Sequence, residues 1–404
     1  MNVSSDKIKP YQLKGVEFET ELHRILAYWG RVVFDNTNAR FHPKVDVANR
    51  AYNEAPAGSV MYARILWAFS AGYLHAATPH YLKMANTAYR YIRQHFVDPE
   101  YGGVYWSLQP DGSAADSRKQ IYAIAFTIYG LAEYYKINAD PTVLAQAKQL
   151  YQCIEQYSLD RQHGGYIEAF HRDWTPTNQL RLSAKDDNEK KTLNTHLHIL
   201  EAYTNLYTIW PNDTLKQRIA GILQLFEQHF ITDHGHLRLF FDEQWQSKSS
   251  LQSFGHDIEA SWLICEASQA IHGGQVTDTV RSLCLRLAHA SLEWVDESGA
   301  LPYELNPITN QLNAEKHWWV QAEAVVGFYR AGLLSGDNRY IASAARSWQY
   351  ITDYLIDHQH GEWHWGRDET RQIIAYEDKA GFWKCPYHNS RCCLQLMQLI
   401  GLPQ

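Results

Sequence analysis

Three of the 20 histidines lie in patterns that could move protons. In Lys191-Thr-Leu-Asn-Thr-His-Leu-His198, Asn194 and His198 are spaced i,i+4 and share one helix face, apart from the apolar stripe of Leu193, Leu197 and Leu200. That spacing turns Asn194 and His198 toward a polar cavity; a hydrogen-bonded pair inside a helix bundle is the plainer alternative. His196 diverges from His198, which weakens any metal-binding reading of the two. In Gly255-His-Asp-Ile-Glu-Ala-Ser-Trp262, His256, Glu259 and Trp262 recur at i,i+3,i+6, so the Glu259 carboxylate could orient His256 and tune it as a general base. Read as a helix start, the same run needs Asp257 and Glu259 only to complement the dipole. His388 follows Trp383-Lys-Cys-Pro-Tyr387 in a polar loop just ahead of a last helix over 391–400, where an imidazole at a loop-to-helix junction could transfer a proton.

Other runs suit a sugar. Glu315-Lys-His-Trp-Trp-Val-Gln-Ala-Glu323 sets Trp319 and Glu323 at i,i+4 with Trp318 beside them, an aromatic platform and a carboxylate that could grip a pyranose. The alternative makes the tryptophans core residues and Glu323 an ordinary ion-pair partner. Trp383 accompanies His388. Arg64 interrupts the apolar run Met61–Phe69, so its guanidinium needs either a structural ion pair or the role of clamp for an oxyanion. A loop over 181–188, which contains Asp186, could cover such a cavity or be merely solvated. The 14 Trp, 26 Tyr and 14 Phe could equally fill a core or line a sugar site.

Groups this far apart in sequence need a scaffold that gathers them, and internal repeats point to one. Turns rich in Asp and Gly recur around Gly103, Gly165, Gly235, Gly299 and Gly361, at spacings of 62, 70, 64 and 62 residues. Each leads into a short alternating run that reads as a strand. Paired helical patterns lie between them: 120–136 with 141–157, 192–210 with 213–229, 258–271 with 276–294, and 322–334 with 339–358. A 404-residue chain holds about six such units. Six helical hairpins in sequence bury their apolar faces by closing into a ring, which predicts an all-α (α/α)6 barrel forming one domain over 1–404. An open solenoid would need polar capping repeats, and none is visible.

With 37 basic and 44 acidic residues the formal charge is −7, which argues against nucleic acid as a partner. No run reaches the roughly 18 apolar residues of a membrane helix. Residues 1–10 contain no apolar leader segment. Six cysteines show no C-x-x-C or zinc-ribbon spacing, so a reduced, cytoplasmic protein with no metal site is expected.

Taken together and in order, these motifs resemble the N-acylglucosamine 2-epimerase superfamily, most closely its branch acting on β-1,4-linked disaccharides. The resemblance runs from about residue 15 to the end. It rests on Ala63-Arg-Ile-Leu-Trp67, Asn194-Thr-His-Leu-His198 with Glu201-Ala-Tyr203, Gly255-His-Asp-Ile-Glu259 through Trp262, Lys316-His-Trp-Trp319 through Glu323, and Lys384-Cys-Pro-Tyr-His-Asn-Ser-Arg391. Cys385 stands where that family has Gly, and it leaves His388 in register. The resemblance implies an (α/α)6 barrel and a cofactor-free reaction in which the reducing-end glucose of cellobiose, lactose or mannobiose exchanges its C2 configuration through a ring-opened cis-enediolate. By it, His256 and His388 match the acid–base pair, and Arg64 and His198 match groups that stabilise the intermediate. Tyr122, Asp186, Asn194, Glu259, Trp319, Glu323 and Trp383 match substrate-contacting or supporting positions. The partner is then a disaccharide with a free reducing end, and a monomer is expected. Rival readings are a mannose-type aldose–ketose isomerase, an N-acylglucosamine 2-epimerase, a non-catalytic sugar-binding protein, and a glycoside hydrolase using Glu259 and Glu323.

Overall fold

A computed structural model describes residues 13–401; the opening residues, on which the leader expectation rests, lie outside the described residues. Twelve α-helices occur among the described residues: α1 (Gly15–Tyr28), α2 (Ser59–Ala76), α3 (Pro79–Tyr91), α4 (Ile121–Asn138), α5 (Pro141–Cys153), α6 (Leu193–Ile209), α7 (Asp213–Leu225), α8 (Phe254–Ile271), α9 (Asp278–Leu292), α10 (Trp318–Ser335), α11 (Asn338–Tyr350) and α12 (His388–Ile400). The even-numbered helices pack side by side in chain order as an inner ring, and α12 returns to α2. The odd-numbered helices lie outside them. The fold is the (α/α)6 barrel expected from the repeats.

The hairpins are not six in sequence, however. Five run α2–α3 to α10–α11, and the sixth is made from the two chain ends, because the outer partner of α12 is α1. A ring closed in this way leaves neither terminal helix with an unpaired apolar face. Sequence pattern explains which helices go inside. Helix α2 is buried without a break from Ser59 to Gly72, whereas α7 buries only the stripe Leu215, Ile219, Ile222 and Leu223. Outer helices start at side-chain caps, including Asp140, Asn212, Thr277 and Asp337. The pattern over 141–157 is α-helical only to Cys153 and continues as a π turn, Ile154–Ser158.

Two devices fix where each inner helix begins. Just before α2, α4, α6, α8 and α10 lies a two-residue strand that pairs antiparallel with a short strand beyond the next glycine turn, as Lys119–Gln120 does with Ala169–Phe170 and Lys191–Thr192 with Phe240–Phe241. The turn itself is anchored by an ion pair. Lys119 reaches Asp98 at 2.7 Å, Lys191 reaches Asp160 at 2.8 Å, Lys316 reaches Asp296 at 3.0 Å, and Lys379 pairs with Asp357. At the remaining turn His236 pairs with Asp257 at 2.7 Å. The anchor glycines all take positive φ, from +70° to +91°. At Gly235 a Cβ would stand 2.7 Å from the Arg286 carbonyl oxygen, so only glycine fits both the conformation and the approach of the outer helix.

Asp98→Ala strands the Lys119 ammonium, whose side chain is 0% exposed. The expected loss is about 3–5 kcal/mol of unfolding free energy, read by chemical denaturation. A loss under ~1 kcal/mol would show that the turn does not depend on this charge pair.

Candidate active site

Counted from the first residue of each inner helix, position six is Arg64 on α2, Phe126 on α4, His198 on α6, Glu259 on α8 and Glu323 on α10. The matched strand anchors put these five inner helices in the same register, so one layer of the ring collects groups that could do chemistry. Position four points outward instead. There His196 Nε2 accepts from the Tyr166 N–H at 2.9 Å, Asp257 from Leu237 N–H at 2.8 Å, and Gln321 from Leu301 N–H at 2.9 Å. His196 thus holds a turn in place, as its divergence from His198 implied.

A cavity of about 360 Å³ opens at the N-terminal ends of the inner helices, within the usual range for ligand pockets. Helices α2 and α4 contribute Arg64 and Tyr122, α6 contributes Asn194 and His198, and α8 contributes His256 and Glu259. Trp318 and Trp319 come from α10, His388 from α12, Trp383 from the preceding loop, and Asp186 from the loop over the mouth. In that loop Asp186 accepts from the Ser183 N–H and hydroxyl at 2.9 and 2.6 Å, closing a tight turn.

Three expectations change. Glu259 does not orient His256: its Oε1 accepts from Arg391 at 2.6 Å and lies 3.9 Å from His388 Nδ1, while His256 Nδ1 meets the Ser253 hydroxyl at 2.7 Å. Trp262 does not line the cavity. Six residues past His256 it has turned down one layer, where its Nε1–H donates to Glu323 at 2.9 Å and its ring lies under the Arg391 guanidinium. His388 is not in a loop; it is the first residue of α12. Glu323 also sits behind the wall, where it lies 2.7 Å from His388 Nδ1 and accepts from Arg391 at 2.7 Å.

Arg64 is 3% exposed and, among the described residues, has no carboxylate partner. One Nη donates to the Tyr122 hydroxyl at 2.8 Å and the other to the Trp383 carbonyl at 3.4 Å, and the plane lies over Phe126 and Tyr387, 4.1 and 4.6 Å from the ring centres. Its Nε–H, the Asn194 carbonyl oxygen and the Trp318 indole N–H are buried without a protein partner. Buried polar groups left open on a cavity wall are groups set to receive a ligand's hydroxyls and charge.

Burial holds the imidazoles neutral. His256 is pushed down to about 3, mainly by burial and also by His198. His388 is driven well below the usual histidine range by burial and the nearby Arg64 and Arg391. His198 is lowered by burial, against the pull of Glu201, whose carboxylate lies 2.9 Å from its Nδ1. Burial alone would raise Glu201, but Arg391 and His198 override it and hold it at about 2. Glu259 is pushed up to about 8 by burial and the charge of Glu323, against the pull of Arg391.

The donor atoms of Glu259, Glu323 and His388 lie within 4.8 Å of one another, spacing that a cation could use. The cation between the carboxylates is the Arg391 guanidinium. Among the wall residues, sequence reasoning missed Tyr303, His317, Trp365 and Glu377. Tyr303 and Trp365 stand just before short strands, His317 ends one and Glu377 lies in a loop, where no period marks the cavity side. Glu201 was within reach, since it stands one turn from His198.

A family profile described as N-acylglucosamine 2-epimerase (GlcNAc 2-epimerase) matches residues 41–392. The chain is 42% identical over 383 residues to a cellobiose 2-epimerase of Bacteroides fragilis, covering 94% of this chain and 98% of the relative. It is 35% identical over 375 residues to a cellobiose 2-epimerase of Ruminococcus albus, covering 92% and 95%. The solved structure of cellobiose 2-epimerase from Bacillus thermoamylovorans superposes with a TM-score of 0.90 at 36% identity, over 95% of this chain and 98% of that one.

Proposed function

The chain belongs to the N-acylglucosamine 2-epimerase family, and from that premise we propose that it is a cellobiose 2-epimerase, an isomerase that interconverts glucose and mannose at the reducing end of β-1,4-linked disaccharides. The observation that carries the chemistry is Arg64: a buried cation on the cavity wall, held by neutral groups and aromatic faces alone. Its missing counter-charge fits an enediolate, which is negative only while the reaction runs.

In this reading the sugar opens to its aldehyde, which makes the C2 proton removable. A neutral imidazole takes that proton on one face of C2. His198, its Nδ1–H held by Glu201, accepts at Nε2 a hydrogen bond from the O2 hydroxyl, while Arg64 balances the negative charge that develops on O1. After rotation about C2–C3, the second imidazole returns a proton to the other face. His388, fixed by Glu323, and His256, free through Ser253 to use either tautomer, are the two histidines. The second imidazole takes the proton it delivers from Glu259, and the first passes the C2 proton back to Glu259, so all three groups end as they began. The hydrolase reading fits poorly, because Glu259 and Glu323 share one guanidinium Nη2 and only Glu259 reaches the cavity. The cellobiose, lactose and mannobiose range, a single domain and a cytoplasmic monomer belong to the same proposal. Its support is a ring that closes on itself and six cysteines that are all buried and unpaired; among the described residues no helix is long and apolar enough to cross a membrane.

Proton NMR of cellobiose with the EDTA-treated protein in D2O tests the function. A mannose-type anomeric signal with deuterium at C2 is expected; a ketose product would make it an aldose–ketose isomerase, and free glucose a hydrolase. The proton on Glu259 adds a prediction. Activity should fall as pH rises through about 8, as Glu259 loses its proton, and Glu259→Gln should lower kcat and erase that alkaline limb. An unchanged limb in the variant would remove Glu259 from the proton inventory.

A further inference from the structure

Arg391 lies one turn below His388 and outside the rest of the assigned chemistry, yet it is among the most buried charges in the chain, 1% exposed. Its Nη1 bonds Glu201, and its Nη2 donates to Glu259 at 2.6 Å and Glu323 at 2.7 Å. These carboxylates come from α6, α8 and α10, so one guanidinium ties α12 to half of the inner ring. Two of them continue to cavity histidines, Glu201 to His198 and Glu323 to His388, each through Nδ1 at 2.9 and 2.7 Å.

We propose that Arg391 is a positioning residue for the reaction: by keeping Glu201 and Glu323 as acceptors, it fixes His198 and His388 in the tautomer that presents a bare Nε2 to the sugar. This rests on the epimerase reading for its kinetic consequences but not for its geometry. An ionised carboxylate can only accept, so the imidazole facing it must carry its proton on Nδ1. A protonated carboxyl can donate to Nδ1 instead, which moves the imidazole proton to Nε2 and removes the base from the cavity. In a space closed to water, burial pushes each of these carboxyls toward the protonated form. Arg391 is the opposing charge they share. Trp262, stacked on Arg391 at 4.6 Å and donating to Glu323, holds the guanidinium and carboxylate planes together.

The groups facing Arg391 are Glu201 and His198 from α6, Glu259 from α8, Glu323 from α10, Tyr129 from α4, and Tyr387, His388 and Cys392 from its own segment. Arg64 on α2 acts on the same histidines as a second positive charge. Of these, the three carboxylates and the Tyr387 hydroxyl touch the guanidinium, and the carboxylates lie within reach of an imidazole with which a proton could be exchanged. The Tyr387 hydroxyl reinforces the arrangement by donating to Glu201 at 2.5 Å.

Arg391→Lys tests the proposal, since a lysine keeps the charge but cannot bridge three carboxylates with a planar fork. The expected result is a folded protein with kcat lowered on the order of 10²-fold or more, as befits a lost tautomer control, with KM within about threefold and the acid limb of the pH profile moved upward. The upward move follows in sign, because Glu201 without its guanidinium takes a proton at higher pH. Long-range 1H–15N spectra of the histidine rings supply a readout independent of activity, and its native half does not depend on how the variant folds. In the native protein His198 and His388 should carry their protons on Nδ1, and in Arg391→Lys a second population with Nε2–H should appear. Native kcat in the variant, a loss confined to KM, or Nε2–H tautomers in the native protein would each overturn the proposal. A native protein that shows the expected tautomers and yet leaves cellobiose unchanged would retire the substrate reading and leave the role of Arg391 standing.

Discussion

His256→Ala and His388→Ala are each expected to lose epimerisation by about 10²–10⁴-fold, the span that positioned acid–base groups contribute, with little change in substrate affinity. The more telling result lies in D2O. Inversion at one carbon needs a base on each face, so a protein with one imidazole removed can still lift and return the C2 proton on the face that remains. One variant should therefore exchange C2 hydrogen in the glucose-ended sugar without inverting it, and the other should do so in the mannose-ended sugar. Which variant does which identifies the base for each epimer. Near-native epimerisation in either variant would sink the two-histidine scheme, and loss of exchange with both sugars in one variant, with exchange of both kept in the other, would point to a single shared base.

The second large effect belongs to Arg64. Arg64→Gln keeps a donor for the Tyr122 hydroxyl but leaves the enediolate without its cation, and kcat is expected to fall on the order of 10²–10³-fold. Because the guanidinium has no ionic partner in the resting protein, its removal strands no carboxylate. The variant should fold and bind sugar normally, which the parallel Asp98→Ala protein should not manage so well. A drop in thermal stability matching the drop in rate would instead mean that Arg64 serves the core. Steady-state kinetics with cellobiose beside a denaturation curve separates the two.

Much of this arrangement was visible along the chain because the fold repeats. Five glycines at near-even spacing mark five turns whose backbone only glycine adopts comfortably, and spacing survives where sequence drifts. Asn194 with His198 was equally legible, since i,i+4 on a helix is a local fact. What stayed hidden depends on neighbours in space. That α12 takes α1 as its partner follows from ring closure, which no local pattern encodes. Trp262 was misplaced because six residues span more than a turn and a half, enough to leave the His256 face and drop to the layer beneath. Glu259 was paired with the wrong histidine for a related reason: its helix points it across the ring toward α12. Arg391 stands three residues after His388 in plain view, but the carboxylates that give it meaning arrive from three other helices.

The pairing of the first helix with the last has a consequence for the order in which the protein is made. Of the described helices α1 is made first, carrying Phe18, Leu22, Ile25 and Leu26, all fully buried in the finished ring. Its partner α12 is the last of them to emerge and brings His388 and Arg391 with it. While the helices between them are made, that apolar stripe lacks the surface that covers it in the ring, and contacts between segments so distant in sequence are the slowest kind to form. No nascent chain can hold His256 and His388 together before α12 has emerged. Catalytic competence therefore arrives in one step, at ring closure.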